Sequence, residues 1–347
     1  MKKIFKAGWV ILALGAVLAI VGAAFNGVKA VEFNGFKVQT VKKDTAITKT
    51  YAKKEFERIE FVNGSGYFVP MELEIRQGQD YSVSYSGSSR FEPKIDYQNG
   101  TLKVARGQEM HGFSFDLNNY RSKIDSKLII TVPENVKLSF VKVNGNYDNI
   151  KLEKLNIATL ELEANSSEKL SLNEVTTERT DIDMNTDEVT LTNSKLNNGE
   201  LSLVADLVVS GGELTNINVK VDSEGRVYYK DGLVLNGGGT QLADEVYGYE
   251  SDDDNDADND SDYADNSEPN AELDADTITI KGKYEIKNNT GVTRIMNATV
   301  QGYRLTNKHG KNNLHDQQQT NGGTLEENAD QAEVLTLSSR IGENTVK

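Results

Sequence analysis

From Ile150 onward the chain repeats itself, and the repeat is too short to fold alone. Segments opening at Ile150, Leu170, Val189, Leu207 and Val227 lie 18 to 20 residues apart. Each begins with an alternating apolar pair: Ile150 and Leu152, Leu170 and Leu172, Val189 and Leu191, Leu207 and Val209, Val227 and Tyr229. A second pair follows ten to twelve residues on, at Leu160 and Leu162, Ile182 and Met184, Leu201 and Leu203, Ile217 and Val219. Between the pairs stands a third apolar position, at Leu155, Val175, Leu196 and Leu214. Alternation at period two marks strands with one buried side. Two or three strands cannot cover their own apolar side, so successive units are expected to stack around one interior, as a parallel β-solenoid. Leucine-rich repeats share the period, but their LxxLxLxxN spacing and helical return are missing. An antiparallel sandwich also fits alternating strands with Asn/Gly turns and stands as the structural rival.

The same alternation runs upstream, between Glu32 and Gly145: Ile59 and Phe61, Leu73 and Ile75, Tyr81 to Tyr85, Leu102 and Val104. Asn63-Gly64 and Asn99-Gly100 stand where tight turns need positive φ, and Pro133 ends the run Leu128 to Val132. Residues 107–121 break the pattern and read as a loop. The lead-in FERIEFVNGSG, then NGTLKV, then LIITVPENVKL, then the repeats, covering Phe56 to Gly239, resembles the candidate-adhesin family of β-strand-repeat surface proteins in Firmicutes, with LiaG-like members. That resemblance implies an all-β, right-handed parallel β-solenoid at the cell surface. It supplies no catalytic residues.

At the other end of the argument is the N-terminus. Residues 7–25 carry no charge and, at about 1.5 Å per residue, make some 28 Å of helix, close to a bilayer core. Lys2, Lys3 and Lys6 precede them, which predicts a cytoplasmic tip, one transmembrane helix and an extracellular remainder. Cleavage after Val28-Lys29-Ala30 is the alternative, and it would release a secreted chain. The chain reaches Lys347 without a sorting motif, so anchorage is expected to be N-terminal. The expected parts are 1–30 (tip and anchor), 31–145 (β-rich lead-in), 146–249 (solenoid), 250–276 (acidic segment) and 277–347 (C-terminal strands and polar tail).

Charge and composition exclude whole classes of function. The formal net charge is −15 with no basic cluster, which argues against nucleic acid. There is no cysteine, so disulfides, thiolate metal sites and thiol catalysis are excluded. Glu250 to Asp276 holds 13 acidic residues and no basic one, leaving −2 for the rest, and reads as an extended linker. Within it Asp254, Asp256, Asp258, Asp260, Asp262 and Asp265 fall at positions 1, 3, 5, 7, 9 and 12 of an EF-hand-like calcium register. Asn259 replaces the turn glycine there, the last ligand is the short Asp, and no flanking helix is expected. Thr277 to Ile286 and Thr299 to Leu305 read as strands, residues 307–328 as loosely ordered, and residues 327–338 as a short helix or strand.

The remaining chemistry is sparse. Asp181 and Asp183 flank Ile182, and Glu161 and Glu163 flank Leu162; alternation puts both pairs on a solvent face. His309 and His315, with Asp316 adjacent, form the one histidine constellation, and His111 stands alone. No GxSxG elbow, HExxH helix or P-loop occurs, and the runs Gly211-Gly212 and Gly237-Gly238-Gly239 read as turns. The expectation is a membrane-anchored, non-enzymatic surface protein, an adhesin or envelope scaffold, without cofactor. Its partners would be the cell membrane and a wall polymer or envelope protein. The alternative is the ectodomain of an envelope-stress signalling module working through a membrane partner.

Overall fold

The computed structural model describes residues 15, 17, 31–34, 37–40, 44–62, 68–105, 114–115, 124–222, 225–242 and 271–347. The apolar span at 7–25 lies outside them except for Gly15 and Val17. Among the described residues no helix is long and apolar enough to cross a membrane. From Val31 to Val346 every described element is a β-strand.

The repeats stack in parallel. Asn156–Asn173 pairs with Thr176–Thr192, and that with Lys195–Ser210, each residue facing one 18 to 20 positions on. Each of these strands serves two faces. Its first half joins one ladder and its second half the other, with a register shift at the bend between Ala164 and Ser167 or Asn185 and Glu188. Leu172, Leu191 and Val209 are direct neighbours, as the repeat alignment requires. The third apolar positions Leu155, Val175, Leu196 and Leu214 are all buried. The ladders through the repeats are parallel, which excludes the sandwich.

Both faces extend beyond the repeats into the lead-in and the tail. The first face runs Thr101–Ala105, Arg58–Val62, Lys137–Asn144, 156–163, 176–184, 195–203, Glu213–Val221, Val234–Leu242, Lys283–Asn288, Val334–Ser339, Gly302–Asn307. The second runs Lys127–Pro133, Phe68–Gly78, Asn146–Glu153, 169–173, 188–192, 206–210, Arg226–Lys230, 272–276, 292–296, Glu343–Val346, Lys311–Leu314. Among the described residues that makes eleven levels, about 48 Å of stack at ~4.8 Å per strand. One interior column reads Ile130, Ile75, Leu152, Leu172, Leu191, Val209, Tyr229, Ala275, Ile295, Val346, Leu314. Most of the lead-in is thus the lower part of the same stack, while Val31–Asn34, Lys37–Thr40 and Ser114–Phe115 form a separate antiparallel sheet.

The levels do not follow chain order at the ends. The segment from Arg58 to Gly78 lies between the level of 101–133 and the level of 137–153. The last segment, Val334 to Val346, slots between the levels of 283–296 and 302–314. Antiparallel strands then cover both ends: Lys94–Gln98 and Ser82–Ser88 below, Gly323–Glu327 and Gln317–Gln319 above. Open parallel edges invite further chains, so covering them matters.

The tail differs from its expectation. Residues 307–328, read as loosely ordered, form a folded coil and two capping strands, because buried Asn307 and Asn312 bind backbone in place of apolar packing. Asn312 Nδ2 donates to Gly323 O at 3.0 Å, and Asn344 Nδ2 donates to Asn312 Oδ1 at 3.0 Å. The acidic segment also ends earlier than read. Glu272–Lys281 is a strand with Leu273 and Ala275 buried, an alternating pair that the surrounding aspartates obscure in the sequence. Residues 307–328 and 272–276 are therefore corrections to the tail and acidic-segment boundaries.

After eight of the second-face strands comes a corner with positive φ: Lys154, Glu174, Asn193, Gly211, Asp231, Thr277, Asn297 and His315. The corner amides continue the ladder, as in Glu174 N to Thr192 O at 2.8 Å and Asn193 N to Ser210 O at 2.9 Å. Left-handed backbone costs a β-branched residue most, and Thr277 has φ 57.

Two stability tests follow from this geometry. Leu191→Asp buries an unpaired carboxylate and is expected to cost about 3–5 kcal/mol, whereas Thr192→Asp on the outer side stays within about 0.5 kcal/mol. Equal denaturant midpoints would contradict the register. Thr277→Gly is expected to stabilise by about 1 kcal/mol through relief of backbone strain; a lowered midpoint would count against it.

Candidate binding surface

Alternation that buries one side chain turns the next to solvent, so the ladders carry polar columns along their outer sides. On the first face one column runs Lys142, Glu161, Asp181, Glu200, and its neighbour runs Asn144, Glu163, Asp183, Ser202, Lys220. The two carboxylate pairs seen in the sequence thereby become a two-by-two array, with Glu161 beside Asp181 and Glu163 beside Asp183. Lys142 Nζ lies 3.0 Å from Glu161 Oε2, Asn144 Nδ2 donates to Glu163 Oε2 at 2.7 Å, and Lys220 Nζ lies 2.9 Å from Glu200 Oε1. Lys220, then the Ser202 hydroxyl, hold the Glu200 carboxyl below its ordinary range. Asp181 and Asp183 sit exposed in the middle of this polar strip.

The second face carries its charges differently. Glu74 points away from the core, yet it is only 4% exposed. Lys127 Nζ lies 2.6 Å from one of its oxygens and Arg76 Nη1 lies 2.8 Å from the other. Burial alone pushes that carboxyl up, but Lys127, with Arg76 and Lys151, outweighs it and leaves the group below the usual carboxylate range. Farther along, Lys169 Nζ sits 2.6 Å from Glu188 Oε1. A groove of about 520 Å³ follows, lined by Tyr228, Lys230, Asp231, Asp274, Arg294 and Met296. Its Arg294 is tied to Glu272 and Asp274. Tyr228 and Met296 carry no sequence signal; the groove exists only because levels 46 and 20 residues apart in sequence are adjacent in space.

Inside the stack, Tyr229, Thr240 and Tyr284 share a hydroxyl chain, with Thr240 Oγ1 at 2.7 Å from Tyr229 OH and 2.8 Å from Tyr284 OH. Burial pushes the Tyr284 hydroxyl up to about 12. The network joins the coil before residues 243–270 to the coil after them, so it fixes register across that excursion.

The histidines are not brought together. His315 is a corner residue whose Nδ1 lies 3.0 Å from Glu327 Oε2, and its ring meets Tyr303 edge-on at 5.4 Å. Glu327, not Asp316, is its partner. Burial, then the Glu327 charge, raises the Tyr303 hydroxyl, which donates to Ala298 O at 3.2 Å. His309 lies exposed at another corner. The glycine runs are turns: Gly212 has φ 79, and a Cβ there would stand 2.1 Å from Ser194 O. Among the described residues no group of three His, Cys, Asp or Glu side chains could hold a metal ion. The calcium register Asp254, Asp256, Asp258, Asp260, Asp262 and Asp265, and His111, lie outside the described residues.

Fold and surface define an all-β, solenoid-like stack with polar outer columns. Residues 69–229, somewhat under half the chain, match the family model described as Toastrack DUF4097. No curated protein matches the chain. Among solved structures, the chain is similar to a candidate adhesin from Bacteroides fragilis at 10% identity and TM-score 0.37, covering 87% of this chain and 97% of that one. A candidate adhesin from Parabacteroides distasonis gives 10% and 0.38, covering 86% and 97%. A candidate cell adhesion protein from Clostridium sporogenes gives 14% and 0.20, covering 88% and 99%.

Glu74 supplies a pH test. Its folded pKa lies below the unfolded value of about 4.3, so its contribution is present above that pH and lost as pH falls through the folded value. Glu74→Gln is expected to cost about 1–3 kcal/mol at neutral pH. The gap from wild type should narrow between pH 7 and pH 3 in denaturant titrations; a gap independent of pH contradicts the assignment.

Proposed function

We propose that the chain is a membrane-anchored, non-enzymatic surface protein whose stack offers its outer faces to extended ligands of the cell envelope, a wall polymer or another envelope protein. The observation that carries this reading is the repetition of outward chemistry along two parallel ladders. A linear ligand laid along the stack meets a polar group at every ~4.8 Å step, with carboxylates at successive steps at Glu161 and Asp181 and at Glu163 and Asp183. The polar strip is flat and open, which suits many weak contacts with a long partner better than enclosure of a small molecule. The uncharged span at 7–25, behind three lysines, supplies the anchor.

The test is co-sedimentation of the full-length chain, in neutral detergent, with purified cell walls. It is expected to pellet with the walls and to release no reducing sugar from them. Sugar release would make it an enzyme. Absence from the pellet, together with crosslinking to a single membrane protein in whole cells, would replace this reading with a signalling ectodomain.

A further inference from the structure

At the corner where the first face passes to the second, the three uppermost levels bring together residues distant in the chain: 288–291, 339–342 and 307–310. Each turns on a glycine that the packing requires. A Cβ on Gly342 would stand 2.1 Å from Gly291 O, and one on Gly310 would stand 2.1 Å from Gly342 O. Buried Asn307 ties the corner down by accepting from the amides of His309 and Gly310 and donating to Gly342 O at 3.1 Å. The backbone is therefore fixed and thin, and the side chains beside the glycines project from it. They are Lys308, His309, Lys311 and Arg340, all exposed, with Ile341 at 48% exposure.

Several cations on the upper strands are neutralised, as in Arg294 with Glu272, Arg304 with Glu326 and Lys287 with Glu285. Lys308, Lys311 and Arg340 form no ion pair with any described residue. Glu343 faces Lys311 across the ladder, and its Oε1 is held by Asn313 Nδ2 at 2.8 Å and Thr345 Oγ1 at 3.0 Å. A groove of about 300 Å³ runs between His309, Gly310, Lys311, Thr320, Asn321 and Glu343. The overall charge of −15 does not cancel this patch, since screening confines surface charge effects to about 8 Å at physiological salt.

We propose that this corner is an anion-binding site for a linear phosphodiester polymer of the cell envelope. Its three cations sit on two adjacent levels, Lys308 and Lys311 on one and Arg340 on the next, one strand spacing from Lys308, along a narrow ridge that a flexible polyanion can follow. Ile341 offers an apolar contact to the carbon segments between phosphates. A ridge at the end of the stack, rather than a broad basic face, favours a chain over a bilayer surface. This rests on the surface-protein reading and names its ligand class.

The experiment measures binding of the full-length chain in neutral detergent to immobilised poly(glycerol phosphate), at about 0.15 M salt. The variant Lys308→Gln/Lys311→Gln/Arg340→Gln is compared with Lys94→Gln/Lys154→Gln/Lys195→Gln, which removes equal charge elsewhere. The first variant is expected to bind at least about tenfold more weakly, the second within about twofold of wild type, because phosphate contacts dominate polyanion affinity. All three proteins should unfold at the same midpoint, and millimolar inorganic phosphate should not elute them. Equal binding by both variants overturns the site, as does capture only by phosphatidylglycerol vesicles or elution by free phosphate. Wall co-sedimentation by wild type with no binding to the polymer overturns the site and leaves the surface-protein reading standing. Loss of wall binding in wild type overturns that reading and the site with it.

Discussion

Everything in this structure depends on the parallel backbone ladder between successive coils. Its hydrogen bonds set each coil about 4.8 Å above the last and hold corresponding residues in direct register. A single position in one repeat is therefore a position in a column, and a column has one environment. Ile75, Leu152, Leu172, Leu191 and Val209 must all be apolar because they share one interior line. One residue along, the columns face water and can carry charge. The corners inherit the same constraint, which is why residues as unsuited to positive φ as Lys154, Glu174 and Thr277 adopt it. The ladder imposes the bend at each level, whatever residue the sequence places there.

A stack of this kind has two weak places, its ends, and both are resolved in the same way. The first coil in sequence is covered by a later one, and the last coil is slotted beneath an earlier one. Each end is then closed by antiparallel strands, so no chain terminus forms an open parallel edge. Toward the upper end the interior itself changes character. The column that begins Leu128, Leu73, Ile150 ends Thr293, Asn344, Asn312. There the asparagine amides, bonded to backbone carbonyls and to one another, replace dispersion contacts as the cohesive element.

The functional surfaces follow from the same register. Carboxylates flanking Leu162 and Ile182 are unremarkable pairs in the sequence, and the ladder makes them an array of four. The basic corner joins residues 308–311 to residue 340 because their coils are adjacent levels, with the His309 amide donating to Arg340 O at 2.9 Å.

The sequence by itself determined the strand content, the interior columns of the repeats and the glycine turns, and favoured parallel stacking over a sandwich, because a strict alternation at a period of 18 to 20 residues has few physical solutions. It determined the carboxylate pairs but not their neighbours. Where periodicity is diluted, at Leu273 and Ala275 among aspartates and at Asn307 and Asn312 among polar residues, the folded coil was not legible, since amide side chains give no hydrophobic signal. Only the tertiary structure decided the order of the terminal levels, the partnership of Glu74 with Lys127, of His315 with Glu327, and the gathering of Lys308, Lys311 and Arg340. Those contacts join segments that no local pattern relates, and they form because every open edge of a parallel ladder presents unpaired backbone groups that some strand of the chain must satisfy.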